Sequence, residues 1–344
     1  MDLKLDETHL MIRNSVRDLA EGEIMPRARQ TDAEHRFPRE VIEKLAELGL
    51  MGMMVPEKYG GADLDALSFV IALEEVARAC ASTAVIMAVT NSLVTQVLLQ
   101  HGTEEHRQSY LAPVARGQMI GCYALSEPGS GSDAAAMTCV AKKDGDSYVL
   151  NGTKNFITSG KEADLAILFC MTEPKQRHRG ISCFVVDMPT PGLTVGKVED
   201  KMGIRGTSTT SLVFEDARVP ASNLLGVENE GFKIAMAALD GGRIGIGAQA
   251  VGIGRAAFEE AKRYTTERHA FGGPISNLQA IQFMISDMAT RLEAARLMVW
   301  RAAWLKDQKE GPVSREAAMA KLFASEAAHF IVDKAVQVHG GYGF

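Results

Sequence analysis

The spacing of apolar positions changes twice along the chain. Over residues 1–120 it is helical: Phe69, Ala72, Leu73 and Val76 repeat at i, i+3, i+4 and i+7, one face of a 3.6-residue helix. His9–Glu21 and Arg39–Leu50 carry similar stripes, and Pro26, Pro38, Pro56 and Pro113 stand where helix boundaries are expected. From about Ile120 to Pro220 the pattern becomes short apolar or alternating runs. Ile120–Leu125, Ser147–Leu150, Leu165–Met171, Ile181–Val186 and Thr210–Phe214 read as strands, with Asp144-Gly145 and Asn151-Gly152 as turn chemistry between them. From about Gly231 the helical period returns. Leu278, Ile281, Ile285, Met288, Leu292, Ala295 and Val299 step alternately by three and four, the seam of a helix packed at a shallow angle. Ala317, Ala320, Ala324, Ala327, Ile331 and Val338 mark a further helix whose small residues permit close approach.

This order predicts an α+β fold in three parts: an N-terminal helical domain over 1–119, a middle β domain over 120–226, and a C-terminal helical bundle over 227–344. No helical pattern alternates with the strands, so a doubly wound parallel sheet is not expected; a mainly antiparallel barrel or sandwich is. The β unit is inserted between two helical parts expected to pack on each other.

Composition narrows the function classes. The net charge of −6 over 344 residues argues against a general nucleic-acid binder, though not against a small anion held by a few local cations. The apolar runs fall short of the ~18 residues a membrane span needs, and residues 1–20 lack the apolar core of a signal peptide, so a cytoplasmic protein is expected. The five cysteines form no CxxC pair and sit mostly in apolar surroundings, which reads as reduced thiols packed as small hydrophobes. No metal-ligand spacing is present.

Five segments could carry chemistry. In Tyr123–Asp133 (YALSEPGSGSD) a strand ends in a loop of small residues; Gly129 and Gly131 admit close backbone approach, Ser126, Ser130 and Ser132 add hydroxyls, and successive N–H groups can form an anion nest. A plain tight turn explains the same residues. Asn151–Gly160 (NGTKNFITSG) leads from a turn into a strand, with Phe156 either a core residue or part of a site. Leu239–Gly247 (LDGGRIGIG) opens a stretch with six glycines between 241 and 254 in otherwise helical sequence. Each costs about 1 kcal/mol against Ala, so a neighbouring helix or a ligand must approach the backbone closely. Glu267–Gln279 (ERHAFGGPISNLQ) sets Arg268, suited to phosphate, before a helix break. Gln337–Phe344 (QVHGGYGF) is a glycine-rich helix end in which His339 could simply complement the helix terminus.

Together these five segments, in this order and over essentially the whole chain, resemble the acyl-CoA dehydrogenase family; Met202–Ser208 (MGIRGTS) and Val213–Pro220 (VFEDARVP) resemble it too. The resemblance implies a helical domain, a β-barrel-like domain and a four-helix bundle, with bound FAD. Tyr123, Leu125, Ser126, Gly131 and Ser132 would hold the flavin ring and pyrophosphate, and Phe156, Ile157 and Thr158 would back the ring. Arg268, Phe271, Gln279 and the stretch Gln337, Val338, His339, Gly340 and Gly341 would contact the FAD of a neighbouring subunit, which implies a homotetramer built as a dimer of dimers. Ser132, Asp240, Gly241, Gly242 and Arg243 would line the acyl-CoA site.

The implied chemistry is α,β-dehydrogenation of an acyl-CoA to the trans-2-enoyl-CoA. A carboxylate removes the α-proton while hydrogen bonds on the thioester carbonyl stabilise the developing enolate. The β-hydride passes to flavin, and electrons then go to an electron-transfer flavoprotein. Asp240–Ile246 most resembles short-chain, butyryl-CoA-type members, so a short or short-branched acyl group is expected. No residue of the chain is assigned as base: the family's glutamate is expected beyond Phe344, as in a longer enzyme of which this is a C-terminally truncated piece, and the alternative position is Gly242. Two alternatives stand beside this reading: a non-catalytic flavin- or CoA-binding protein, should Phe344 be the natural end, and an acyl-CoA oxidase using O2.

Overall fold

A computed structural model describes residues 4–344. Eleven α-helices are present among them: α1 Glu7–Leu19, α2 Met25–Ala33, α3 Arg39–Glu47, α4 Ala66–Ala79, α5 Ala81–Val89, α6 Thr95–His101, α7 Glu104–His106, α8 Ala112–Ala115, α9 Gly231–Glu267, α10 Gln279–Gln308 and α11 Ser314–His339. Between α8 and α9 lie eight strands: β1 Gly121–Ala124, β2 Val140–Asp144, β3 Ser147–Thr158, β4 Leu165–Met171, β5 Ile181–Asp187, β6 Leu193–Val198, β7 Thr209–Pro220 and β8 Leu224–Leu225. The chain divides into two compact units. Of the described residues, one comprises 4–28, 65–85 and 243–344, the other 29–64 and 86–242.

The second unit is built on the sheet. Its strands run in the order β6-β7-β3-β2-β4-β5-β8, with β1 beside β4. Most ladders are antiparallel, as the sequence predicts, but β1–β4 and the single β2–β4 bridge are parallel. No ladder joins β6 to β8 among the described residues, so the sheet curls without closing as a barrel. Its inner core collects Cys122, Ala166, Leu168, Cys170, Phe184, Leu150 and Phe214, and Tyr148 on β3 meets Phe184 on β5 edge-on with centroids 4.9 Å apart. The other face of β4 and β5 (Leu165, Ile167, Phe169, Cys183, Val185) packs with Val94, Leu98, Leu111, Ile234 and Ala238 of the helices in this unit. Because both faces are covered, β4 reads as an unbroken apolar run.

The Asp144-Gly145 turn is where the sequence places it: β2 and β3 are joined by a two-residue hairpin with Gly145 at φ 60°. Asn151-Gly152 is not a turn. It lies inside β3, where the register against β7 shifts and Gly152 takes φ 139°. The Asn151 amide instead exchanges two 3.0 Å hydrogen bonds with Asp216 on β7, so the Asn-Gly signal marks a bulge.

Two of the prolines sit in helices rather than between them. Pro26 and Pro113 each stand second in an α-helix that follows a five-residue π turn, Ala20–Ile24 and Arg107–Leu111. A proline ring collides with the carbonyl four residues back, and the widened turn makes room for it. The run 81–101 is long and apolar enough to cross a membrane by length and composition, but 72% of its window is buried inside the fold, as in a core helix.

In the first unit α10 and α11 pack together, and the residues they bury are Met288, Leu292, Ala295 and Val299 on α10 and the alanine stripe Ala317–Ala327 on α11. The first part of the anticipated seam, Leu278, Ile281 and Ile285, is only half covered. The glycines of α9 are explained by helix contacts. A Cβ on Gly252 would lie 2.5 Å from both Ala77 Cβ and Glu74 O, and one on Gly247 would lie 3.0 Å from Val299. The same unit holds a buried ionic network that joins α1, α4, α9 and α10. Arg17 and Arg255 approach Glu75 at 2.7 and 2.8 Å, and Arg296 approaches Glu74 at 2.9 Å.

Candidate functional site

In the second unit, β1 delivers Tyr123 and ends at the loop Leu125–Asp133. The Tyr123 ring packs 5.1 Å from Phe169, its hydroxyl donates to Ala235 O on α9, and its burial pushes the phenol well above its usual pKa. Leu125 is buried and Ser126 half-buried, whereas Gly131 and Ser132 are exposed. The loop is closed on itself by paired backbone bonds between Glu127 and Ser130, and the Ser130 hydroxyl donates to Asp133 O. It is fixed to β3 where Asn155 N–H donates to Ser126 O at 2.8 Å.

Beneath the loop lies a pair that sequence reasoning missed. Lys154, wholly buried on β3, donates from Nζ to Glu127 Oε1 at 2.8 Å and to Leu125 O at 3.1 Å. Glu127 also accepts from the N–H groups of Thr138 and Cys139 and from the Thr138 hydroxyl. Burial works to raise the Glu127 pKa, but Lys154 and the two amides outweigh it and hold the carboxyl below its ordinary value. In the sequence both residues look like solvated charges in a turn and a strand; only the three-dimensional pairing distinguishes them.

Past Lys154 the register shifts again, and Phe156 takes φ 59°. Its ring is 62% exposed while Ile157 is buried, so Phe156 is not the core residue and Ile157 is. Thr158 follows half-buried. The result is an uncovered aromatic ring on a strained backbone, in the strand that holds the serine-rich loop.

In the first unit, α9 ends at Glu267, Arg268 follows, and a two-stranded ribbon comes next (β9 His269–Ala270, β10 Gly273–Pro274). Its tip, Phe271-Gly272, has φ of 54° and 85°, which leaves Phe271 92% exposed. Gln279 opens α10, exposed. The sequence-predicted Arg268 and the His339–Gly341 stretch come together here in a cleft of about 420 Å³, lined also by Tyr264, Ile275, Val338 and Tyr342. Tyr264 stacks on His339 with centroids 4.3 Å apart, and Arg268 lies over the Tyr342 ring. Tyr264, missed in the sequence, stands one helical turn before Arg268, the spacing that puts both on one face. Gln337 is exposed just outside the cleft residues.

On α9, Gly241 and Gly242 are buried, and Asp240 and Arg243 half-buried. A Cβ on Gly242 would lie 3.1 Å from Leu93. Among the described residues no cluster of three or more His, Cys, Asp or Glu side chains is placed to hold a metal.

In the second unit, an exposed aromatic on β3 and a hydroxyl-rich loop with open space over Gly129 and Gly131 suit a planar ring system; in the first, taken by itself, an exposed arginine beside a glycine-rich helix end suits a phosphate. Comparison with known proteins agrees in class. Residues 6–118, 122–217 and 229–344 match the family models for the acyl-CoA dehydrogenase N-terminal, middle and C-terminal domains. The chain belongs to the acyl-CoA dehydrogenase family, and is a flavoprotein oxidoreductase. It is 55% identical to the mitochondrial short-chain specific acyl-CoA dehydrogenase of Bos taurus over 99% of this chain and 83% of that one. The structure of butyryl-CoA dehydrogenase from Megasphaera elsdenii matches with a TM-score of 0.97 at 41% identity, covering 100% of this chain and 91% of that one. A chain in a structure described as the electron transferring flavoprotein of Acidaminococcus fermentans matches with a TM-score of 0.98 at 47% identity, covering 100% and 90%.

Proposed function

We propose that this enzyme, an acyl-CoA dehydrogenase with FAD as its cofactor, acts on short-chain acyl-CoA thioesters and hands its electrons to an electron-transferring flavoprotein. The observation that carries the reading is the exposed, strained Phe156 fixed to the Ser126 loop by the buried Lys154–Glu127 pair. Similarity to short-chain and butyryl-CoA dehydrogenases supports the substrate class.

The roles divide by chemistry. Tyr123, Leu125, Ser126, Gly131 and Ser132 would hold the flavin edge and phosphates; Phe156, Ile157 and Thr158 would cover a ring face. Arg268, Phe271, Gln279 and Gln337–Gly341 would bind the phosphate and adenosine end of an FAD carried by a second copy. Bound FAD supplies the acceptor for the two electrons of dehydrogenation. Ser132 and Asp240–Arg243 would orient the thioester. Glu127 is unsuited as the base, since Lys154, Thr138 and Cys139 already occupy its oxygens, and position 242 offers no side chain. The same reading takes the enzyme as a homotetramer. The half-covered start of the α10 seam and the exposed Phe283, Met319 and Leu322 are surface that a second copy would bury.

The test is the visible spectrum of the purified protein before and after anaerobic addition of butyryl-CoA, repeated with octanoyl-CoA. The flavin band is expected to be present and to be perturbed at lower concentrations of butyryl-CoA than of octanoyl-CoA, a readout of binding that needs no base. A colourless protein that does not take up FAD overturns the cofactor site, and a response to octanoyl-CoA at lower concentration than to butyryl-CoA overturns the short-chain assignment.

A further inference from the structure

All five cysteines are buried and free, but two of them are a pair. Cys139 and Cys170 face each other with their sulfurs 3.4 Å apart. The register dictates this. Val140 on β2 bridges Met171 on β4 in parallel, and Met171 N–H donates to Cys139 O at 2.8 Å. Cys139 and Cys170 each stand one position earlier, so both point to the inner face of the sheet. Neighbouring strands lie ~4.8 Å apart, inside the ~4.4–6.8 Å over which two Cα atoms can share a disulfide.

The two thiols are not equivalent. Cys139 is next to the Lys154–Glu127 pair, its own N–H donating to Glu127 Oε1 at 3.0 Å. The hydrogen bond from Cys170 and, after the opposing effect of burial, the Lys154 ammonium hold the Cys139 thiol below its ordinary pKa, while burial pushes Cys170 well above it. Cys139 is wholly buried, and Gly152 of β3 passes close over it: even a methyl group on that glycine would lie 2.9 Å from the Cys139 sulfur. Neither thiol has a part in dehydrogenation.

We propose that Cys139 and Cys170 form a redox site, oxidised by a hydroperoxide to a disulfide that staples β2 to β4. The Cys139 thiolate attacks one peroxide oxygen, the O–O bond breaks, and the departing oxygen takes up the thiol proton. With hydrogen peroxide this gives a sulfenic acid at Cys139 and one water. The Cys170 sulfur then attacks the Cys139 sulfur, the S–O bond breaks, and hydroxide leaves with the Cys170 proton as a second water. The two sulfurs lose two electrons in total and the two peroxide oxygens gain them.

The experiment treats the folded, full-length chain with hydrogen peroxide without denaturant, then alkylates in denaturant and maps the peptides by mass. In the wild type two of the five thiols are expected to escape alkylation, with a reducible cross-link joining the peptides of Cys139 and Cys170 and a 2 Da mass loss. In C170A, dimedone is expected to label Cys139; in C139A it is expected to leave Cys170 unlabelled. Five alkylated thiols after oxidation, a cross-link between other cysteines, or a dimedone adduct at Cys170 in C139A overturns the proposal. The wild-type map decides the matter even if a variant fails to fold. None of these readouts needs FAD or turnover, so the result is independent of the flavin assignment.

Discussion

At the scale of single residues, the best-defined part of the site is the buried pair under the loop. A buried carboxylate robbed of its cation typically costs about 3–5 kcal/mol, so Lys154→Met should lower stability by that order. The pH dependence gives a sharper test, because the sign reverses. In the wild type the folded pKa of Glu127 is depressed; its contribution is fully present above the unfolded value of ~4.3 and is lost only as pH falls through the folded value. Urea midpoints should therefore gain nothing from Glu127 between pH 7 and pH 5. In Lys154→Met burial remains and the ammonium is gone, so the folded pKa moves above the unfolded one and the midpoint should rise as pH falls from 7 to 5. A variant whose midpoint is flat or falls over that range would contradict this assignment. Both residues stand inside segments singled out from the sequence, yet neither was recognisable as buried. Sequence carries charge and spacing, whereas the pairing of Lys154 with Glu127 depends on a bulge that turns Phe156 out and the lysine in.

Among the elements, legibility followed burial. β4 and β5 were evident as apolar runs because both of their faces are covered. β2 (VAKKD) and β6 (LTVGKV) were not, since Lys142, Lys143 and most of β6 face solvent and their composition is that of a loop. The network of Arg17, Arg255 and Arg296 on Glu74 and Glu75 was equally hidden, because two adjacent acids in a helix look solvated until the helices packed against them are known. The glycines of α9 were legible as a problem, and the structure resolves it position by position. Replacing Gly by Ala in a helix gains about 1 kcal/mol from propensity, while overpacking costs about 1–3 kcal/mol. At Gly252 the new methyl would meet Glu74 O and the Arg78 backbone, which cannot yield, so Gly252→Ala should lower the melting temperature. At Gly254 its nearest neighbour at 3.3 Å is the tip of Ile331, which can rotate, so Gly254→Ala should be neutral or stabilising. Equal effects at the two positions, read by differential scanning calorimetry, would remove helix contact as the explanation.

For the whole molecule, the two changes of pattern along the sequence and the five segments sufficed for the family, since they span nearly the full chain. What they did not disclose is which segments converge. Arg268 and His339 are far apart in sequence, and their shared cleft depends on α9 and α11 ending side by side. A ligand that binds only the folded state adds about 2.7 kcal/mol at a concentration of 100 Kd. Excess FAD should therefore raise the melting temperature progressively with its concentration, and FMN, lacking the adenosine half, should raise it less. A melting temperature indifferent to FAD would count against both halves of the binding surface. Sedimentation equilibrium of the FAD-loaded protein should give a single species of four times the 37.1 kDa chain mass.

The division of the chain also has a bearing on how it is made. The sheet-bearing unit is complete once Gly242 has been synthesised, whereas the other needs residues 4–28 and 65–85 and then the segment from Arg243 onward. At about 5–20 residues per second, the roughly hundred residues after Gly242 take on the order of 5–20 s to emerge. Throughout that interval α1, already made, waits without the α9–α11 surfaces it belongs with, and Glu75 waits for Arg255. Helices made before the sheet are thus among the last to reach their final places.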